Sequence, residues 1–249
     1  MAGNYVFMMF NIYRVGVCTS TQDIGRRLAE EGWSEGTVVI ADKMTSGRGR
    51  LGREWVADEG GLWMTIILRP KVLSSLQLIN LVAGLSVVEG IRKLYEVPLK
   101  LKWPNDVVLS GRKLCGILCE GKFGGNVFDY ILLGIGINVN NRLREDLKDT
   151  AISLKDYLGF EVDLQSLLTE VLKSFSNYYA ALLTGDVNGI VNRWRRYSIT
   201  IGRRVKVIMP DGIITGTAID IDVDGSLIVE TYEGITKVYC GDVVHLIHD

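Results

Sequence analysis

The chain lacks the features that mark several large protein classes. It has no basic excess: 28 lysines and arginines stand against 29 aspartates and glutamates, a formal net charge of −1. A dedicated nucleic-acid binder carries a basic surplus over a whole domain, so any anion site here must come from local clustering. No apolar run is long enough to span a bilayer, because Glu89, Arg92 or a glycine interrupts each one. The start, Met1-Ala2-Gly3-Asn4-Tyr5, lacks the basic segment of a secretory leader, although residues 6–10 are apolar. A cytoplasmic protein without a membrane association is expected. Metal-binding spacing is also missing. The four cysteines, Cys18, Cys115, Cys119 and Cys240, form no CxxC pair, and the two histidines, His245 and His248, sit at the C-terminus, where surface positions are expected. Buried, reduced thiols are the expectation for such cysteines.

What is present is an ordinary globular composition, 47% hydrophobic and 23% charged over 249 residues, enough for one large domain or one with a small appendage. Residues 13–19 read as a strand ending in a polar corner, followed by a helix over 23–31 closed by Gly32. Residues 37–42 form a β-branched apolar run, and 61–68 a second strand ended by Pro70. From 76 to 95 apolar residues recur every three or four positions (Leu78, Val82, Leu85, Val88, Ile91, Leu94), which predicts a deeply buried helix. Strands follow over 99–103, 107–110, 113–120 and 128–138, with Gly/Asn turns at 110–112 and 124–126 closing hairpins. This is an α+β pattern: a mixed or mainly antiparallel sheet backed by helices.

Helical periodicity resumes over 162–183 and 187–197. After Thr200 four short strands, 203–209, 213–222, 226–230 and 235–238, are joined by tight turns such as Pro210-Asp211-Gly212 and Asp224-Gly225. That spacing predicts a small β-barrel domain over 200–249, after a first domain over 1–199.

Two segments carry chemistry. Thr45-Ser46-Gly47-Arg48-Gly49-Arg50-Leu51-Gly52-Arg53 packs three arginines and three glycines into nine residues. Glycines let a ligand approach the backbone, exposed N–H groups make a nest for anionic oxygens, and arginines add bidentate charge. The Gly-Lys-Ser/Thr ending of a Walker A loop is absent, and the arginines fill the places a Rossmann glycine fingerprint keeps for helix packing. Flanking apolar strands favour a structured anion loop over a loose RNA-binding tract. Trp55 reads equally as core or as a flat wall for an organic ligand.

The second segment begins with Lys102-Trp103-Pro104-Asn105-Asp106, a stiff corner bearing three different polar groups. Asn105 suits a nucleotide edge, and Asp106 suits either a magnesium ion or a plain turn. Lys113 starts a strand of otherwise buried alternate residues, so its ammonium could meet a substrate carboxylate or α-phosphate; a strand-edge lysine in solvent is the plainer alternative. Gly116 opposite it and the Gly134-Ile135-Gly136-Ile137-Asn138 string suggest close backbone approach to a ligand. Together they describe a cavity with cationic ends and apolar walls.

These strings, with Lys113-Leu114-Cys115-Gly116-Ile117-Leu118-Cys119-Glu120, closely resemble the biotin protein ligase family in order and spacing along essentially the whole chain. The resemblance implies a class II synthetase-like catalytic domain with a C-terminal SH3-like β-barrel. It implies two steps: biotin and ATP give biotinyl-5′-AMP with magnesium, then a lysine of a biotin carboxyl carrier protein, or carrier domain of a biotin-dependent carboxylase, takes the biotin. By the same resemblance Ser20 and Thr21 bind the ureido ring, within a biotin set that adds Met44, Gly47, Arg48, Gly49, Trp55, Lys113, Gly116 and Gly136. Lys113 and Arg48 are the catalytic candidates. Arg50, Arg53, Trp55, Lys102, Asn105 and Asn138 are the ATP candidates, and Asp106 the magnesium candidate. The family usually carries glutamine three residues before Gly47, where this chain has Met44, so a ureido hydrogen bond is either missing or supplied by a neighbour such as Lys43 or Thr45. A homodimer is expected from the family. Only nineteen residues precede Ser20, so a ligase without a DNA-binding repressor module is expected. Lipoate or octanoate protein ligase is the rival within the same chemistry, and a nucleotide- or RNA-binding module the rival outside it.

Overall fold

The computed structural model describes residues 8–71, 76–125 and 127–246. The expectations that touch residues 1–7, Asn126 and His248 lie outside the described residues. Seven strands form one sheet: β1 (Asn11–Cys18), β2 (Thr37–Met44), β3 (Leu62–Leu68), β4 (Leu99–Lys102), β5 (Asp106–Leu109), β6 (Arg112–Gly124) and β7 (Val127–Ile137). Their spatial order is β1-β2-β3-β7-β6-β5-β4. β1 and β2 run parallel, and every other neighbouring pair is antiparallel. A parallel pair needs a crossover, and the helix α1 (Thr21–Glu30) provides it.

Alternation along the strands sorts side chains to the two faces of this sheet. Val39, Ile67, Tyr130 and Leu132 pack against Leu28 and Ala29 of α1. Their neighbours Val38, Ile40, Ile66, Leu68, Ile131 and Leu133 turn the other way into the main core. That core is centred on α2 (Leu76–Arg92), which is buried on nearly every side. After the short α3 (Leu154–Leu158), the helices α4 (Leu164–Leu183) and α5 (Val187–Tyr197) cover α2 from outside. Gly90 sets the α2–α4 approach, since a Cβ there would stand 2.8 Å from the Val171 backbone.

α2 ends at Arg92, three residues before the expected stop, and α3 was not foreseen because its five residues are too few to show a period. The 110–112 hairpin is as expected: Ser110 and Gly111 both take positive φ, 50° and 78°, as a two-residue turn of that hand requires.

The C-terminal segment forms a second, antiparallel sheet of five strands: β8 (Arg204–Met209), β9 (Gly212–Ile221), β10 (Leu227–Thr231), β11 (Gly234–Val238) and β12 (Asp242–His245), in the order β11-β10-β9-β8-β12. The sequence reading counted four and missed β12, whose four residues are too short to show alternation. The sheet is fastened to the rest of the chain through buried Trp103: its indole N–H donates to the Gly225 carbonyl (3.0 Å), and its backbone N–H donates to Thr200 Oγ1 (3.0 Å). The Arg195 guanidinium grips the Asp220 carboxylate with two hydrogen bonds, 2.7 and 2.9 Å.

The cysteine expectation needs a correction. All four thiols are free and Cys115 is buried, where burial pushes its ionisation well up, but Cys240 is exposed, because it sits in the link between β11 and β12.

Candidate active site

Four pieces of chain converge on one cavity of about 140 Å³. The first is the start of α1. Ser20, extended and buried, caps the helix by accepting from the Gln22 backbone N–H (3.3 Å). Thr21 accepts from the Thr65 hydroxyl (2.8 Å), and its backbone N–H points at Met44 Sδ (3.3 Å). Met44 therefore takes up a Thr21 donor as well as lining the cavity. The Gln22 carboxamide donates through Nε2 to the Leu118 carbonyl (3.2 Å), while its Oε1 is buried and without a partner.

The second piece is the arginine-glycine loop, which is a closed hairpin rather than an open coil. Met44 bridges Ala57 and Arg48 bridges Glu54, with backbone bonds from Trp55 to Gly47 (2.9 Å) and from Gly49 to Arg53 (2.7 Å). Gly47 is required by this closure, because a Cβ would lie 2.3 Å from the Trp55 carbonyl. At the tip Leu51 and Gly52 both have positive φ, 55° and 72°. All three arginines are held by protein groups. Arg48 makes a two-pronged contact with Asp23 in the first turn of α1 (2.6 and 3.0 Å), and this hydrogen bonding holds the Asp23 carboxyl below its usual range. Arg50 donates to Asn105 Oδ1 (3.3 Å) and to the Gly241 carbonyl (3.2 Å). Arg53 pairs with Asp242.

The third piece is the floor. The Trp55 indole lies across Gly116 and Gly136: a Cβ at either would come within 2.8 and 2.7 Å of its ring atoms. The two glycines thus make room for Trp55, and through it for a ligand, rather than for the direct backbone approach expected from sequence. Trp55 meets Trp63 edge-on at 6.2 Å between centroids, and its own N–H is buried without a partner. At one end of this floor Lys113 Nζ stands 2.7 Å from Asp106 Oδ1, an ion-pair contact, and 5.3 Å from the Trp55 ring centre. The Lys113 backbone is clamped by residues 150 and 152: its N–H donates to Thr150 (2.8 Å), and its carbonyl accepts from Ile152 (3.0 Å). A register shift in the β5–β6 ladder adjoins it, the kind of irregularity that re-aims a side chain.

The fourth piece is β12, which contributes Asp242 to the rim. The lining therefore joins both sheets.

The structure brings Ser20, Thr21, Met44, Arg48, Gly49, Arg50, Arg53, Trp55, Asn105, Asp106, Lys113, Gly116 and Gly136 to this cavity. Three expected contacts lie outside the lining. Gly47 is buried inside the hairpin by its closure. Asn138 is buried in the turn after β7, where it accepts from Asn141 Nδ2 (3.1 Å). Lys102 ends β4, and its charge is felt by His245 instead. The neighbours considered for Met44's missing partner are also engaged: Lys43 pairs with Asp58 (2.7 Å), and the Thr45 hydroxyl points to the Cys18 carbonyl (3.4 Å).

Sequence reading missed Gln22, Glu54 and Asp242, which line the cavity, and Asp23, which anchors it. A signal existed for Gln22: it shares the buried face of α1 with Gly25 and Ala29 at helical spacing, a polar group among small apolar ones. Among the described residues five buried side-chain polar atoms make no hydrogen bond, and three of them belong to this one cavity: Gln22 Oε1 and Trp55 Nε1, and Asp106 Oδ1, which has only its ion-pair contact with Lys113. Buried polar groups are costly when unpaired, so their concentration here marks a place prepared for a polar ligand.

Residues 15–138 match the biotin/lipoate A/B protein ligase family, and residues 200–246 match the biotin protein ligase C-terminal domain. The chain is 38% identical over 232 residues to the bifunctional ligase/repressor BirA of Bacillus subtilis, covering 91% of this chain and 71% of that one. It is 33% identical to the biotin–[acetyl-CoA-carboxylase] ligase of Mycobacterium tuberculosis, covering 92% and 86%. Among solved structures, the biotin protein ligase of Aquifex aeolicus in complex with biotin and ATP superposes with a TM-score of 0.85 at 35% identity, covering 95% of this chain and 98% of that one.

Proposed function

The chain belongs to the biotin/lipoate A/B protein ligase family, and we propose from its site that it activates biotin with ATP and passes the biotinyl group to a lysine of a carrier protein. Its relatives are named as ligases acting on acetyl-CoA carboxylase, and a neighbour of the same fold holds biotin and ATP. The substrates are therefore biotin, ATP with magnesium, and a biotin carboxyl carrier protein.

The single observation that supports the assignment of residues is one cavity that holds the unpartnered Gln22 Oε1 and Trp55 Nε1 and, at one end, the Lys113–Asp106 pair beside the Trp55 ring. In the first step a carboxylate oxygen of biotin attacks the α-phosphorus, the bond to the β-phosphate oxygen breaks, and pyrophosphate leaves. Lys113 stands where it can face both the carboxylate and the α-phosphate. Its compact charge offsets the negative charge that builds on the phosphoryl oxygens, the kind of electrostatic stabilisation that dominates such reactions. Trp55 provides the flat apolar wall, and Arg50 and Arg53 turn from Gly241 and Asp242 toward the phosphates. In the second step the carrier amine attacks the anhydride carbonyl, AMP departs and the amine loses a proton. No enzyme nucleophile is needed.

Among the described residues no group of three or more His, Cys, Asp or Glu side chains could hold a metal by itself. A magnesium ion arriving on ATP takes most ligands from phosphate and water, so one carboxylate suffices. Asp106, whose Oδ1 is buried without an aligned hydrogen bond, is the lining carboxylate that would meet it. The ion would neutralise charge on the leaving pyrophosphate.

No helix among the described residues is long and apolar enough to cross a membrane. Free thiols suit a reducing compartment, so a cytoplasmic site of action is part of the proposal. So is a homodimer, tested by sedimentation with and without biotin and ATP.

The deciding experiment is AMP formation by the purified protein, measured with and without biotin and an apo-carrier, and with lipoate and octanoate in parallel. Biotin-dependent, carrier-dependent AMP supports the proposal. Release driven by lipoate alone overturns it.

A further inference from the structure

We propose that the corner where α2 and α5 end is a second ligand site, one that holds a small phosphate monoester with a hydroxyl-bearing body. It shares no residue with the cavity described above. It does not depend on the biotin reading.

Glu89, Arg92 and Lys93 come together at the end of α2, and Arg193, Arg196 and Tyr197 at the end of α5, each set at helical spacing. The two sets meet around a recess of about 310 Å³. The Arg92 guanidinium lies 5.5 Å from the centre of the Tyr197 ring. Glu89 Oε1 accepts from Arg193 Nε (3.2 Å) and from the Tyr197 hydroxyl (3.0 Å). One carboxylate thus fixes Arg193 directly and also the ring on which Arg92 rests. Lys93 stands 3.5 Å from Glu170, which Lys173 already holds at 2.8 Å. Among the described residues no carboxylate pairs with Arg92 or Arg196.

Cations in the last turn of a helix are ordinary, because a helix C-terminus carries about half a negative charge. Two such ends account for about one of the cations here, and Glu89 for another. The recess is left with a surplus of about two positive charges, in a chain whose net charge is −1. A phosphate monoester is close to a dianion near neutral pH, so it matches that surplus. A carboxylate would be satisfied by one guanidinium fork and leave the second arginine unused.

The organic part of the ester has a place as well. A second recess, about 490 Å³, shares Glu89, Lys93 and Arg193 with the first and runs between α4 and α5. Tyr178, Ala181 and Ile190 wall it, and Asp186 at its edge is engaged in capping α5 through the Gly189 N–H (3.0 Å). Ser174 also lines it; this residue is 3% exposed and its hydroxyl makes no hydrogen bond. A buried hydroxyl left unpaired is costly, and a ligand hydroxyl in this recess would pair it. A sugar phosphate fits both recesses, with its phosphate among Arg92, Arg193 and Arg196 and its hydroxyls toward Ser174.

The test is a chemical-shift titration of the isotope-labelled full chain with ribose-5-phosphate, inorganic phosphate, ribose, a phosphoserine peptide and, at matched ionic strength, sodium chloride. The variants are Arg92→Gln combined with Arg196→Gln, and Ser174→Ala alone. Melting temperature and biotin-dependent AMP formation serve as controls that neither variant should change, and the binding result stands whether or not that activity is found. Ribose-5-phosphate should shift residues at the ends of α2 and α5 and along the Ser174 face of α4. It should bind about tenfold or more tightly than inorganic phosphate, the step worth roughly 1.4 kcal/mol. The double arginine variant should weaken both phosphates about tenfold or more, as expected when charge-assisted hydrogen bonds are removed. Ser174→Ala should weaken ribose-5-phosphate about fivefold, in the range of one hydrogen bond, and leave inorganic phosphate unchanged. Shifts that sodium chloride reproduces, shifts confined to the catalytic cavity, or full binding by the double variant would each overturn the site. Ribose-5-phosphate binding no tighter than inorganic phosphate, or untouched by Ser174→Ala, would overturn the place given to its body. A phosphoserine peptide binding more tightly than ribose-5-phosphate would overturn the small-molecule assignment in favour of a modified protein.

Discussion

Lys113 Nζ reaches Asp106 Oδ1 at 2.7 Å although the two residues are not opposed in the β5–β6 ladder, where Asp106 faces Gly116 and Lys113 faces Val108. The contact runs diagonally across the register shift, so the ammonium leans into the cavity and stays close to a carboxylate that a substrate anion can replace. Replacing Lys113 with alanine should abolish adenylate formation, with biotin-dependent pyrophosphate release falling at least about 100-fold, as when one such electrostatic group is removed from an active site. The side chain is about one-third exposed, so the melting temperature should change little. Near-normal pyrophosphate release would refute the role.

The Arg48–Asp23 pair ties the loop hairpin to the first turn of α1. Both side chains are about 40% exposed, and exposed pairs contribute roughly 0–1 kcal/mol. Arg48→Ala should therefore leave global stability nearly unchanged while loosening the loop that lines the cavity, and with it, on the proposed function, the hold on the adenylate. Released biotinyl-AMP would then acylate lysines of a bystander protein such as albumin, and Asp23→Asn should do so to a smaller degree. Biotin confined to the carrier lysine in both variants would count against this.

Much of the fold was legible because its signals are local. The buried run of α2 and the glycine turns at 110–112 need no partner to be recognised. The site was legible in part for the same reason: arginines between glycines, and a lysine entering an apolar strand, announce anion chemistry by residue type. What could not be read were relationships across distance. Gly116 and Gly136 looked like ligand contacts, but their smallness serves Trp55, more than sixty residues away in sequence from Gly116. Asn138 carries the right chemistry but is turned into the protein, toward Asn141. Asp242 belongs to a strand too short to have a pattern, and only the packing of the second sheet brings it to Arg53.

The Trp55 seat gives a steric prediction. Gly136→Ala would place a methyl 2.7 Å from the indole, in an already occupied space, whereas Gly124→Ala in the same hairpin meets nothing closer than 3.4 Å. Overpacking of this kind costs about 1–3 kcal/mol, and here it is relieved by displacing Trp55 toward the ligand. Gly136→Ala should raise the KM for biotin about tenfold or more, with Gly124→Ala as the unaffected control. Equal kinetics for the two variants would show that Trp55 can move without touching the substrate.

His245 supplies a pH dependence. Burial, and then the charges of Lys102 and Arg203, lower its pKa below the ordinary value, and its ring nitrogen lies 3.4 Å from Thr200 Oγ1. In the unfolded chain a histidine titrates near about 6.5. Between that value and the lowered folded one, the unfolded state binds more protons, so stability rises with pH across the window. The contribution is complete above the unfolded pKa and is lost as acidification passes below it. The melting temperature should therefore fall between pH 7.5 and 5.5, and His245→Gln, which cannot take up the proton, should remove part of that fall. His245 ends β12, and Asp242, which holds Arg53 at the cavity rim, begins it. Acid should thus weaken ATP binding before it weakens biotin binding, and His245→Gln should reduce that difference. If both affinities decline together, and to the same extent in the variant, β12 is not the acid-sensitive element.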